Sequence, residues 1–349
     1  MKYLNIDQYT ALNETLESYT NVYLKNSFYR ENLKFFLDKI YEIGNSGIER
    51  IPVNFENLDY ISVNEGIKLI CEYLKNLNPK YECDFMEKLT NGTIDFIEAD
   101  NFKNAIEKTK FRPVVYDETF QHTESDLPSS QNSFQSINIG INKTSYISIL
   151  SLLHEYIHSI FIKNSDGTIS NDTDDDLCEF FAIYFENDFI NYLKNKGIFS
   201  NDFNLYKMIR YNSIINTING IFTYQTILLY YKQLYDIIDD YTIEMILKEN
   251  PVIQSDDIYD ICYGINSIES FLPDYRYFLG VPLAYYFSSM KDRKITEKLL
   301  SMSGKLDKYT VPQVLHAIGS SVTEIESIDF ENIMSNIKKE VIENKTLEN

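Results

Sequence analysis

The absences in this chain narrow its function first. No apolar run approaches the ~20 residues that a membrane helix needs, and the start Met1-Lys2-Tyr3-Leu4-Asn5-Ile6-Asp7 lacks the apolar stretch and cleavage site of a secretory signal. Cysteine is sparse: Cys71, Cys83, Cys178 and Cys262 are scattered without C-x-x-C spacing, so they read as reduced thiols of a cytoplasmic protein. Positive charge is in deficit, with 32 Lys and Arg against 52 Asp and Glu and a formal net charge of −20. That balance argues against nucleic acid, whose phosphates are bound by clustered Lys and Arg. It is compatible with cationic peptides, although solubility explains it by default. Tryptophan is absent, and with heavy use of Ile, Asn, Lys and Tyr this reflects coding bias more than function. Internal repeats, low-complexity tracts and linkers are missing too.

The 44% hydrophobic content marks a globular chain, and 349 residues suffice for one large or two ordinary domains. Its periodicity is mostly helical. Residues 8–45 carry two helical stretches parted near Thr20-Asn21, and Val63–Leu77 forms a third with Ile67, Leu69, Ile70, Tyr73 and Leu74 as its apolar side. Asn76-Leu77-Asn78-Pro79 stops it. Phe85–Lys110 continues a helical pattern with a turn at Asn91-Gly92, and long apolar helices run from Asn204 to Tyr241. Arg112–Tyr116 and Ser136–Ile141 are the strand candidates, separated by a polar loop over 117–133. The expected fold is mainly α with a small β-sheet. A helical N-terminal part over 1–110 would run continuously into a catalytic part over 111–349.

Histidine is the scarcest informative residue, with four in the chain, and two of them fall in His154-Glu155-Tyr156-Ile157-His158. On a helix, residues four apart project from one face one turn apart, so both imidazoles can reach one Zn²⁺. Glu155 lies about 100° round the helix from His154, placed to act as a base without being a ligand. Thr144 and Ser145 offer N-caps, and the apolar residues from Ile147 to Phe161 recur at helical intervals. The preceding strand would lie beside this helix, and an open edge on it could hold an extended peptide by main-chain hydrogen bonds.

Catalytic zinc takes three protein ligands and keeps one position free. The favoured third is Glu179, in a helical segment that follows the Asn171–Asp176 run and carries Glu179 and Glu186 two turns apart on one face. A carboxylate on an otherwise apolar face is costly unless paired or bound to metal. His122, in the polar loop, and Cys178 remain competing ligands. The Asp172–Asp176 cluster lacks the ligand spacing of a calcium loop and reads as a solvated helix entrance. His122 and His316 are by default surface or packing residues, and most of the 28 tyrosines belong at the edge of the core.

Ser136-Ile137-Asn138-Ile139-Gly140-Ile141, then His154–His158, then Glu179-Phe180-Phe181-Ala182-Ile183-Tyr184-Phe185-Glu186 resembles the oligoendopeptidase F and thimet oligopeptidase family of helical zinc peptidases. The likeness covers roughly residues 130–340. It implies a zincin-like (gluzincin) metallopeptidase with His154, His158 and Glu179 as metal ligands, Glu155 as catalytic base and Glu186 as an outer support. Tyr275-Arg276-Tyr277-Phe278-Leu279-Gly280 is similar to that family's Tyr-x-Tyr-x-x-Gly segment, which implies that Tyr277, and with it Tyr275, stabilises the oxyanion. Three departures stand out. Ile157 replaces the usual Gly before the last His, no His stands near Ser267, and the chain is shorter than typical members.

The expectation is therefore a zinc-dependent endopeptidase of the oligopeptidase kind, cytoplasmic, with one Zn²⁺ and an extended peptide as partner and with neither nucleic acid nor membrane. Two other readings are a zincin-like binding or regulatory protein with little turnover and a sequence-specific protease of one folded target.

Overall fold

The structure is a computed structural model, and it describes residues 51, 59–91, 94–99, 115–116, 119–124, 133–139, 143–161, 172–199, 203–225, 241, 244, 248 and 275–347. The helical expectations for 8–45 and for 226–240 lie outside these residues, as does Ser267.

Two helices open the described chain, and their ends are written in the local sequence. Strand β1 (Tyr60–Ser62) leads into α1 (Val63–Leu77). The Ser62 hydroxyl accepts the Glu65 N–H at 3.2 Å, while the Glu65 carboxylate accepts the Ser62 N–H at 3.0 Å. This reciprocal cap satisfies two backbone donors that the first turn leaves over. Asn78 then does double service. Its N–H donates to the Leu74 carbonyl at 2.9 Å, closing α1. Its side-chain oxygen accepts the Lys80 N–H at 3.0 Å, opening α2 (Pro79–Thr90), where Pro79 needs no donor partner.

Strands follow where helix was expected. The helical pattern read over Phe85–Lys110 ends at Thr90, and β2 occupies Ile94–Ala99. The helix closes with Asn91 as its C-cap, and Ile94, Phe96 and Ile97 suit a strand once a partner exists. That partner is β5 (Ser133–Ile139), which runs parallel to β2 with Ile94 opposite Phe134. The polar loop read over 117–133 is likewise in part a strand, β4 (Thr119–Glu124), antiparallel to β5 with His122 opposite Gln135. Its polar composition concealed it, because ladder bonds come from the backbone and not from side chains. With β3 (Val115–Tyr116) the sheet order is β2-β5-β4-β3. Strand β5 is thus paired on both sides and has no open edge. Among the described residues the free edge nearest the histidine helix belongs to β4, whose residues 121–124 pair with β5 alone. A separate ribbon joins β1 to β6 (Lys143–Ser145), with Ile61 opposite Thr144, and sets the start of α1 beside the start of the next helix.

That helix is α3 (Tyr146–Phe161), and it packs on α4 (Asp172–Lys196) and against β4 and β5. Helix α4 starts inside the Asp-rich run rather than after it. It is buried almost continuously from Phe180 to Phe189, which accounts for the lack of a polar stripe in that stretch. Helices α5 (Phe203–Gln225) and α6 (Tyr275–Ser289) complete the layer around it, with α6 the most extensively packed against α4. Polar tethers fix the outer helices. The Tyr73 hydroxyl donates to Asp188 at 2.8 Å, tying α1 to α4. The Tyr156 hydroxyl lies 2.9 Å from the Tyr81 carbonyl and 3.0 Å from an Asp84 oxygen, tying α3 to α2. The chain closes with α7 (Arg293–Ser301), α8 (Val311–Ala317), α9 (Val322–Ser327) and α10 (Phe330–Leu347). Gly304, at φ +68°, donates its N–H to the Ile160 carbonyl at 2.9 Å and so satisfies the end of α3. Among the described residues no helix is long and apolar enough to cross a membrane.

Candidate metal centre

Helices α3 and α4 bring three donor groups together. The i, i+4 spacing stacks His154 and His158 on the buried face of α3, with rings 4.4 Å apart and perpendicular. Their Nε2 atoms approach to 2.8 Å. From α4, Glu179 places one carboxylate oxygen 3.3 Å from Nε2 of His154 and the other 3.5 Å from Nε2 of His158. Nitrogen and oxygen donors of all three residues lie within 4.8 Å of one another, and all three residues are buried.

The chemistry of this donor set fits a divalent cation. Glu179 Oε2 is fully buried and, despite its nearness to His154, lies outside hydrogen-bond geometry, so it has no hydrogen-bond partner. An unsatisfied buried carboxylate oxygen costs free energy unless a cation meets it. Burial would raise the Glu179 carboxyl, but His154 and His158 hold it well below its ordinary value. Burial likewise opposes a charged His154, yet Glu186 and Glu179 outweigh it and push that imidazole up to about 10. Each shift reflects the other group's charge, so without a metal the positive charge among these carboxylates rests on His154. Two imidazoles and a carboxylate are the ligand set of hydrolytic zinc sites, and the three residues could hold such an ion.

A second layer of polar groups stands behind His154. Its Nδ1 lies 3.1 Å from Oε1 of Glu186, which is only 1% exposed. Arg210 of α5 donates from Nη2 to the same oxygen at 2.6 Å. The Tyr206 hydroxyl donates to the other Glu186 oxygen, and Arg210 Nε donates to the Tyr206 oxygen at 3.3 Å. Burial would raise the Glu186 carboxyl, but Arg210 and then His154 hold it below its ordinary value. Burial raises the Tyr206 phenol well above its usual range, so it is a donor at neutral pH. Sequence reasoning assigned Glu186 an outer role but missed Arg210 and Tyr206 altogether. The available signal was their i, i+4 spacing, which sets a cation and a phenol on one side of an apolar helix.

The remaining candidates fall as follows. Glu155 follows His154 on α3 and is half-buried. Tyr275 and Tyr277 lie in the first turn of α6, with their side chains outside the described residues. His122 lies on β4 and Cys178 on α4, again without described side chains. Gly280 touches the site through its backbone. A Cβ there would lie 2.8 Å from the Phe180 nitrogen and 3.0 Å from both the carbonyl carbon and the Cβ of Glu179. Only glycine lets α6 approach α4 this closely beside the third donor.

No family model matches the chain, and no curated protein matches it in sequence. Among solved structures it is similar to a Bacillus anthracis (strain Ames) protein described provisionally as an oligoendopeptidase F, at 11% identity and a TM-score of 0.48. The match covers 97% of this chain and 56% of that one, so the chain spans little more than half the length of this neighbour.

Proposed function

We propose that the chain is a zinc-dependent metallopeptidase of the gluzincin type, acting on peptides bound in extended form. One observation carries the reading: His154, His158 and Glu179 converge in a buried cluster with an unsatisfied carboxylate oxygen, and Glu155 follows His154 on the same helix. The three are proposed as the metal ligands. Zinc bound there would supply a water of lowered pKa and a Lewis acid for the scissile carbonyl. Glu155 accepts a proton from the attacking water and returns it to the leaving amine. Tyr277, and with it Tyr275, is proposed as a hydrogen-bond donor to the developing oxyanion. Strand β4 supports an extended substrate, since residues 121–124 have a partner on one side alone among the described residues and the strand packs on α3. The net charge of −20 gives nucleic acid no footing and suits cationic peptides.

Digestion of a peptide library by the zinc-loaded full chain, read by mass spectrometry beside Glu155→Gln, tests this reading. The expected result is cleavage that falls about 10²–10⁴-fold in the variant, the usual weight of a general base, with zinc retained. Turnover within a few-fold of wild type would remove Glu155 from the mechanism. Zinc retention with no cleavage in either protein would point instead to a metal-binding or regulatory role.

A further inference from the structure

The far side of His154 holds more than a single supporting carboxylate. Glu186, Arg210 and Tyr206 form a closed ring: guanidinium to carboxylate, phenol to carboxylate and guanidinium to phenol. Arg210 Nη2 also comes within 3.2 Å of His154 Nδ1. A guanidinium has no acceptor, and a neutral imidazole carries its proton on one nitrogen only. If Arg210 donated to Nδ1, the proton would move to Nε2 and occupy the position that faces His158 and Glu179. Glu186 resolves the conflict. Its Oε1 lies within reach of both groups, 2.6 Å from Arg210 and 3.1 Å from Nδ1, so both can donate to it. With both oxygens of Glu186 engaged by donors, the carboxylate is held in one orientation and cannot swing round to join Glu179.

We propose that Arg210 and Tyr206 are positioning residues that lock Glu186 as acceptor of the His154 Nδ1–H, so that Nε2 is the nitrogen presented to the metal. The inference rests on the metal reading above and adds to it a four-residue relay from α5 through α4 to α3. Orientation of a ligating histidine by a partner on its other nitrogen typically carries a 10–100-fold weight in metal affinity. A lysine at 210 would keep the charge but could not reach carboxylate and phenol together as the planar fork does.

Zinc affinity of the full chain, measured by competition with a chromophoric chelator, tests the relay alongside the melting temperature of each metal-free protein. Arg210→Met should weaken zinc binding by about 10–100-fold and Arg210→Lys by less, while Tyr206→Phe should weaken it several-fold with little change in metal-free stability. Long-range proton–nitrogen spectra of the zinc-loaded wild type should place the His154 proton on Nδ1. A purely structural role would lower the melting temperature of the metal-free variants and leave zinc affinity unchanged, which overturns the inference. So does a proton on Nε2 with zinc on Nδ1. Should Arg210→Met fail to fold, Tyr206→Phe decides. A wild type that binds no zinc removes the metal reading itself and this inference with it, whereas wild-type binding matched by the variants removes the relay alone.

Discussion

Glu179 and Glu186 are the same residue type on the same helix, seven positions apart, both buried against His154, yet their surroundings differ in kind. Glu179 faces the Nε2 side and has one oxygen without a hydrogen-bond partner. Glu186 faces the Nδ1 side, where Arg210 and Tyr206 each donate to one of its oxygens and His154 Nδ1 lies 3.1 Å from the first. A carboxylate already neutralised by a guanidinium gains little from a metal, while one that faces only imidazoles and keeps an oxygen without a hydrogen-bond partner can gain a metal bond. The contrast is what distinguishes Glu179, proposed as a ligand, from Glu186, proposed as a brace. Once His154 gives up its extra proton, as metal binding requires, two carboxylates against one guanidinium leave the pocket one negative charge in excess.

Substitutions at the two carboxylates should break this contrast in order of size. Glu179→Gln should have the largest effect. Structural zinc sites bind with an apparent ~10–16 kcal/mol, so one ligand of three is worth about 4 kcal/mol, roughly a thousandfold in affinity. Glu186→Gln keeps the shape and one acceptor oxygen but loses the charge that Arg210 faces, and zinc affinity should fall by about 10–100-fold. Equal losses in the two variants would contradict the division into ligand and brace. Gly280→Ala should have the smallest effect on metal. Its new Cβ would press on the Phe180 nitrogen and on Glu179, costing about 1–3 kcal/mol of stability as α6 is displaced from α4. Melting of the metal-free protein reads that loss, and an unchanged melting temperature would show that the two helices separate freely.

The histidine pair was legible because its spacing is local. Residues four apart meet on any helix, so His154 and His158 needed no tertiary information. The same holds for the end of α1, where Asn78 and Pro79 act through their own backbone positions. Glu179 was a weaker inference, since a sequence cannot say which of several carboxylates, imidazoles or thiols folds back to the pair. Strands β2 and β4 were missed for a related reason. Their identity depends on β5, more than 30 residues further on in the case of β2, and their polar residues mimic helix or loop. Arg210 and Tyr206 were missed because a charged residue on a long apolar helix reads as a solvated position until the helix is seen to face His154.

Zinc K-edge X-ray absorption on the stoichiometrically loaded full chain tests the central assignment most directly. One zinc per chain is expected, with only nitrogen and oxygen neighbours at about 2.0–2.2 Å, two of them imidazoles, and an unchanged imidazole count in His122→Ala. A sulfur at about 2.3 Å would assign the third position to Cys178, and a third imidazole lost in His122→Ala would assign it to His122. Either result would contradict the site built from His154, His158 and Glu179.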